Sequence, residues 1–223
     1  MADLAAFDFD GTLTSGGSVF GFLTALVGRG PVVAATAALS PQLAHAAVVG
    51  GAVADRAKER LFERVMAGVP LEHAAKVATR YGQEHVRDHL RPDVGDRFDW
   101  HRTRGDTVVI VSASPEAYVG AAGDRLGADG VIATRLAADG DGTLTGRYEG
   151  ANCRGDEKLR RLRWWIEESG TDPERVWAYG NSRGDLSMLG TADVGVNVGR
   201  LGRLGRLKAF PRLEQVQLAD PEP

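Results

Sequence analysis

The sequence predicts an α/β protein built on a doubly wound parallel sheet, with an all-helical insertion and a small β-hairpin. Three observations carry this. From residue 92 onward, short β-branched apolar runs alternate with amphipathic helical segments, the pattern of a parallel sheet covered on both faces. Residues 15–91 show helical signals and almost no strand signals. This stretch interrupts the chain directly after its first strand, at a strand carboxyl end, where such sheets bind ligands.

The elements follow in order. Residues 4–9 read as a short buried strand stopped by a Gly turn. Residues 32–53 are rich in Ala and Val but broken by Pro41, Gln42, His45 and Gly50-Gly51, so they read as buried helices of the insertion and not as a stable membrane span. Asp55 is placed as the cap of a helix with Ala57, Leu61, Val65 and Met66 on one face, ended by Gly68-Val-Pro70. Leu71 to Leu90 forms a second amphipathic helix, with Ala74, Ala75, Ala78, Tyr81, His85 and Val86 near helical spacing, broken at Arg91-Pro92. Thr107–Val111 is a strand buried on both faces. Ser114-Pro115 opens the next helix, Ser as cap and Pro at the first position, and that helix ends near Gly127. Val131–Thr134 is a strand, and Asp139-Gly-Asp-Gly142 turns a hairpin between residues 135–138 and 143–148. Asp156–Ser169 is a helix stopped by Gly170, with Leu159, Leu162, Trp165 and Ile166 inward. Val176–Tyr179 and Val194–Val198 complete the sheet.

Composition narrows the function classes. The 223 residues carry 27 basic and 30 acidic side chains, a net charge of −3. No global charge recruits nucleic acid or an anionic membrane. A single cysteine, Cys153, forms no internal disulfide and fits a reducing cytoplasm. The N-terminus runs directly into a strand without a basic and apolar leader pattern. The basic run Arg200–Lys208 is expected to be a solvated face, and the final Asp-Pro-Glu-Pro a frayed tail.

The chemistry concentrates in four segments. Asp8-Phe-Asp-Gly-Thr-Leu-Thr14 lies at the carboxyl end of the first strand. Residues two apart in a strand face the same side, so Asp8 and Asp10 converge on one point once the chain turns at Gly11. Like charges that close need a cation, and oxygen ligands select a hard ion such as Mg²⁺. Ser112 ends the second core strand, where its hydroxyl and the following amides, beginning with Ala113, suit a phosphoryl oxygen. Lys158 stands near a helix start, where the dipole disfavours a cation unless an anion or carboxylates are present. Tyr179-Gly-Asn-Ser-Arg-Gly-Asp185 delivers Asn181 and Asp185 to the same sheet edge.

These four segments, in this order, resemble the four motifs of the haloacid dehalogenase superfamily, and residues 15–91 resemble its C1-type helical cap. Within it, Ile110–Tyr118, Ala133-Thr-Arg-Leu136, Gly146–Cys153 and the 179–189 loop are most similar to the phosphoserine-phosphatase-like subfamily IB. The resemblance implies a Rossmann-like catalytic core of residues 1–14 and 92–223 with a cap of residues 15–91. It implies a phosphatase in which Asp8 is the nucleophile and Asp10 the general acid and base. Ser112 and Lys158, with Gly11 and Ala113 beside them, hold the phosphoryl group. Mg²⁺ sits on Asp8, Asp10, Asn181 and Asp185. Retention of Asp10 favours a phosphatase over a dehalogenase. The family usually carries Asp where this chain has Asn181, which removes one formal charge and predicts weaker Mg²⁺ binding or a larger share of the work carried by Asp185.

The expected substrate is a phosphorylated small molecule or a lipid phosphate. Phosphoserine itself is disfavoured, because Ser15–Phe22 lacks the acid that phosphoserine phosphatases carry there, and a phosphoserine phosphatase proper is kept as an alternative. Arg56, Lys58, Arg60 and Arg64 offer cations from the insertion, and the apolar stretch 31–54 offers room for a lipid tail. A second class is kept open: a non-catalytic ligand-binding protein on the same scaffold, to which Asn181 points and against which the Asp8/Asp10 pair argues. His85 and His89 read as helix surface rather than a zinc pair. Oligomeric state is not legible.

Overall fold

The computed structural model describes residues 2–199 and 205–216. Five strands, β1 (Leu4–Phe7), β2 (Thr107–Pro115), β3 (Gly130–Thr134), β6 (Val176–Gly180) and β7 (Val194–Asn197), form one parallel sheet in the order β3-β2-β1-β6-β7. The remaining two, β4 (Leu136–Ala138) and β5 (Leu144–Tyr148), make the antiparallel hairpin. The chain first winds outward from β1 to β2 and β3, then crosses to β6 on the other side of β1. Strand order therefore reverses at β1, and the carboxyl ends of β1, β2 and β6 open into one crevice.

Side-chain alternation divides the core between two faces. Ala5, Phe7, Val108, Ile110 and Tyr179 belong to one cluster with Val94 and Phe98 of α6 (Pro92–Arg104) and Val119 and Ala122 of α7 (Glu116–Leu126). Leu4, Ala6, Val109, Val111 and Ala178 pack with Leu162 of α8 (Asp156–Ser169) and with Met188 and Leu189 of α9 (Leu186–Thr191). Strands buried on both faces explain the unbroken apolar runs in the sequence. Each such Val, Leu or Phe contributes about 1.5–3 kcal/mol on burial.

Between β1 and α6 lie five helices: α1 (Val19–Val27), α2 (Arg29–Ala38), α3 (Ser40–Val49), α4 (Gly51–Met66) and α5 (Leu71–His89). α5 packs along α7 of the core. A side chain at Gly82 would collide with the Tyr118 carbonyl, so glycine sets how closely these helices approach. α4 packs on the hairpin. Gly68 N–H donates to Leu144 O at 2.9 Å and Leu144 N–H to Val69 O at 2.8 Å, which ties the hairpin to the end of α4.

Several sequence expectations are corrected. α2 and α3 are not buried: only Val32, Ala35 and Ala46 are, and Val48 is 83% exposed. The two helices are bent by 70° at their junction, and no single described helix is long and apolar enough to cross a membrane. Asp55 lies inside α4 and does not cap it, because the positive-φ pair Gly50-Gly51 starts the helix a turn earlier. β2 runs on to Pro115, so Ser114 is a strand residue whose hydroxyl is used elsewhere, and α7 begins at Glu116. α6 was not expected, although Pro92 in its first turn and Gly105 in the left-handed conformation at its end mark it. Trp164 is exposed and Trp165 half-buried. Residues 200–204 of the basic run and the terminal Asp-Pro-Glu-Pro lie outside the described residues.

Candidate active site

Asp8 follows the last residue of β1 and is 7% exposed. One carboxylate oxygen accepts from Lys158 Nζ at 2.6 Å and the other from Thr12 Oγ1 at 2.8 Å. Lys158 reaches it from the first turn of α8, is 1% exposed, and also donates to Asp185 at 2.6 Å. The second Asp185 oxygen accepts from the Asn181 and Ser182 amides at 3.1 and 2.9 Å and from Ser182 Oγ at 2.9 Å. Asp185 therefore fixes both the β6–α9 turn and the lysine. One ammonium shared by two buried carboxylates cannot neutralise both. Burial, then the Asp185 charge, pushes Asp8 up to about 7 against the pull of Lys158. Burial works against the Lys158 charge, but Asp185 and Asp8 outweigh it and hold the ammonium above the usual lysine range.

Asp10 sits two residues on, across the turn at Gly11. Its carboxylate accepts from the Ser18 amide at 2.6 Å and from the Ser114 hydroxyl. Ser18 is itself braced: its hydroxyl shares a hydrogen bond with Tyr118 Oη at 2.7 Å, and its carbonyl accepts from Tyr81 Oη at 2.7 Å. The Asp10 carbonyl accepts from Asn181 Nδ2 at 3.1 Å. A Cβ at Gly11 would overlap that amide, so the close approach of the two loops requires glycine. Arg91, at the start of α6, donates to the Gly11 and Val198 carbonyls at 3.0 and 2.8 Å and pins the loop from below.

Ser112 is buried within β2, three residues before its end and not at the end as the sequence suggested, and its hydroxyl accepts from the Ser114 amide at 3.1 Å. The Ala113 carbonyl accepts from Lys58 Nζ of α4 at 2.7 Å and from Thr134 Oγ1 at 2.9 Å. Thus Asp8, Lys158 and Asp185 form one buried cluster, Asp10 and Asn181 meet through a backbone carbonyl, and Ser112 with Ala113 borders them from the adjacent strand. Sequence reasoning missed Ser18, Tyr81, Tyr118 and Arg91, for which local sequence carries no signal. Thr12 lay within the Asp8–Thr14 string. Of the four cations offered by α4, Arg56, Arg60 and Arg64 are exposed and Lys58 turns inward. His85 is buried, within 3.4 Å of Thr14 Oγ1, whereas His89 is exposed. That corrects the surface reading for His85.

The donor set suits a hard cation. The Asp8 carboxylate and the Asp10 carbonyl supply oxygen, the Asn181 amide, whose nitrogen faces that carbonyl, would add its oxygen once turned over, and the cluster holds more negative charge than Lys158 offsets. Among the described residues no three His, Cys, Asp or Glu side chains gather at metal-binding geometry, so a cation here would rely on one carboxylate and neutral oxygens. A cavity of about 420 Å³ opens beside Asp10, between Ser18, Ser114, Asp55, Lys58, Asn152 and Arg154.

Residues 5–190 match the model of the haloacid dehalogenase-like hydrolase family. The chain is 35% identical over 190 residues to Protein CicA of Caulobacter vibrioides (strain NA1000 / CB15N), covering 85% of this chain and 83% of that protein. It is 25% identical over 192 residues to a histidinol-phosphatase of Neisseria meningitidis serogroup C (strain 8013), covering 85% and 86% of the two chains. In structure it resembles a substrate-bound phosphoserine phosphatase with a TM-score of 0.65 at 20% identity, over 96% of this chain and 94% of that one.

Proposed function

Because the chain belongs to the haloacid dehalogenase-like hydrolases, we propose that it is a Mg²⁺-dependent phosphatase that cleaves phosphomonoesters through an aspartyl-phosphate on Asp8. The observation that carries this is the buried Asp8–Lys158–Asp185 cluster at 2.6 Å contacts, with Asp10 across the same turn. In the first step an Asp8 oxygen attacks phosphorus, the ester P–O bond breaks, and Asp10 gives its proton to the leaving oxygen. In the second, Asp10 takes a proton from water, the water oxygen bonds to phosphorus, and the Asp8–phosphorus bond breaks to release phosphate. Lys158 holds phosphoryl oxygens, and Ser112 with the Gly11 and Ala113 backbone lines their other side. Mg²⁺, held by the Asp8 carboxylate, the Asp10 carbonyl and the Asn181 amide oxygen, with Asp185 behind them, would offset charge on the equatorial oxygens. Residues 1–14 and 92–223 make up the catalytic core in this reading, and residues 15–91 the cap.

The substrate class is a phosphorylated small molecule, as the relative named a histidinol-phosphatase suggests. A lipid phosphate is the second reading, favoured by the exposed apolar surface of α2 and α3. A cytoplasmic location belongs to the same proposal and rests on the lone, buried Cys153. The test is phosphate release across a panel from sugar phosphates to micellar lysophosphatidate, with and without Mg²⁺, for wild type and Asp8→Asn. Metal-dependent turnover lost in Asp8→Asn is the expected result. Turnover by neither protein, with ligands still shifting the melting temperature, would instead assign a binding protein and make Asn181 the residue to explain.

A further inference from the structure

The cavity beside Asp10 contains a cation that, among the described residues, forms no ion pair with a carboxylate. Lys58 enters from α4, and its Nζ donates to the Ala113 carbonyl at 2.7 Å and to Asn152 Oδ1 at 3.0 Å. Both partners are neutral. Among the described residues no carboxylate lies within 4.0 Å of this nitrogen, whereas Lys158 has two. Two of three ammonium protons are spent, and the group stands at the cavity wall. The Phe62 and Tyr148 rings, with centroids 5.8 and 5.6 Å away, back it on the protein side. Burial draws the amine down to about 8, against the distant pull of Asp55 and Asp10.

The surroundings hold this geometry in place. Asn152 Oδ1 lies 2.8 Å from Thr134 Oγ1, whose one proton it shares with the Ala113 carbonyl, and its Nδ2 donates to Asp55 at 2.7 Å, which fixes the amide orientation. Arg154 lies 3.8 Å from the same Asp55. The cavity's acids are thus committed: Asp55 to Asn152 and Arg154, and Asp10 to Ser18 and Ser114. A buried charge is costly unless an opposite charge reaches it, and a ligand anion entering this cavity would supply one.

We propose that Lys58 is the recognition residue of the leaving-group side, taking an anionic oxygen, a carboxylate or a second phosphate, of a small phosphomonoester whose reacting phosphate lies at Asp8. The inference rests on the phosphatase reading and narrows it towards compact polyanionic substrates and away from lipid tails, whose apolar surface would meet this ammonium. Its two neutral partners preorganise the amine, so recognition costs little side-chain entropy.

The experiment compares kcat/KM for 3-phosphoglycerate and glycerol 3-phosphate, which differ by a carboxylate in place of a hydroxymethyl group, and for fructose 1,6-bisphosphate and fructose 6-phosphate. Wild type is expected to prefer the anionic member of at least one pair. In Lys58→Met that preference falls about 10- to 100-fold, carried by KM, the scale of one charge-assisted hydrogen bond. Lys58→Arg is expected to keep part of it. A wild type without preference, or a Lys58→Met variant that loses both members of a pair equally, overturns the proposal and leaves Lys58 as a strut between α4 and β2. If Lys58→Met does not fold, the wild-type preference and the Lys58→Arg ratio decide by the same criteria. If wild type and Asp8→Asn turn over every probe alike, the phosphatase reading fails first and takes this inference with it.

Discussion

Replacing Lys158 by Met separates the two tasks of that side chain. The lysine is 1% exposed and makes 2.6 Å contacts with Asp8 and Asp185. Met keeps most of the volume but leaves two buried carboxylates facing each other without a counter-charge. Removing one partner from a buried pair costs about 3–5 kcal/mol. In a chain of this size each kcal/mol moves the melting temperature by about 2–4 °C, so a drop of roughly 6–20 °C at pH 7.5 is expected. The deficit should shrink on acidification. Asp8 is already pushed up to about 7 in the wild type, and losing Lys158 raises it further. A carboxyl whose folded pKa lies above its unfolded value destabilises the fold at high pH, and the penalty fades as pH falls from the folded pKa towards the unfolded one. Adding Asp185→Asn removes the facing charge while keeping an acceptor for the Ser182 amide, and should recover about 1–3 kcal/mol without restoring turnover. Thermal denaturation from pH 5 to 8 measures all of this. A Lys158→Met variant that melts within about 3 °C of wild type at pH 7.5, or no recovery in the double variant, would refute the charge argument.

Three further outcomes follow from other sites. Asn181→Asp replaces the donor to the Asp10 carbonyl at 3.1 Å with a second oxygen, so without Mg²⁺ it should cost about 1–3 kcal/mol. With Mg²⁺ the added charge should tighten binding about 10- to 100-fold by calorimetry, and unchanged affinity would remove Asn181 from the ligand set. Gly82→Ala gains about 1 kcal/mol of helix propensity, yet its Cβ meets the Tyr118 carbonyl, and overpacking of about 1–3 kcal/mol should prevail, read as a lower denaturation midpoint. His101 donates from Nδ1 to Asp106 and accepts at Nε2 from Tyr179, and burial draws it down to about 4 despite the Asp106 carboxylate. Its contribution is present above about pH 6.5 and lost as pH falls through about 4; in His101→Gln the acid limb of stability should flatten by roughly 2–3 kcal/mol, and an unchanged limb would mean that His101 is charged in the native protein.

Local sequence determined the sheet and which acidic residues stand at its carboxyl ends. Apolar β-branched runs have few alternatives to strands buried on both faces, and Gly-rich turns after β1 and β6 release Asp8, Asp10, Asn181 and Asp185 at one edge. Those signals lie within a few residues, so they survive in the linear chain. The same was not true of Ser114, whose local pattern says helix cap while the fold spends its hydroxyl on Asp10, 104 positions earlier. Lys58 looked like one of four surface cations until Asn152 and Ala113 drew it inward from 94 and 55 positions away. Residues 32–49 carry an apolar composition that reads as burial, but an insertion has one core face to offer, and α1, α4 and α5 take it, leaving much of α2 and α3 to solvent. Burial, charge pairing and donor commitment are properties of neighbours. The chain by itself named the acidic residues that gather at the sheet edge, and only the tertiary structure decided which of the remaining charges are paired by their neighbours.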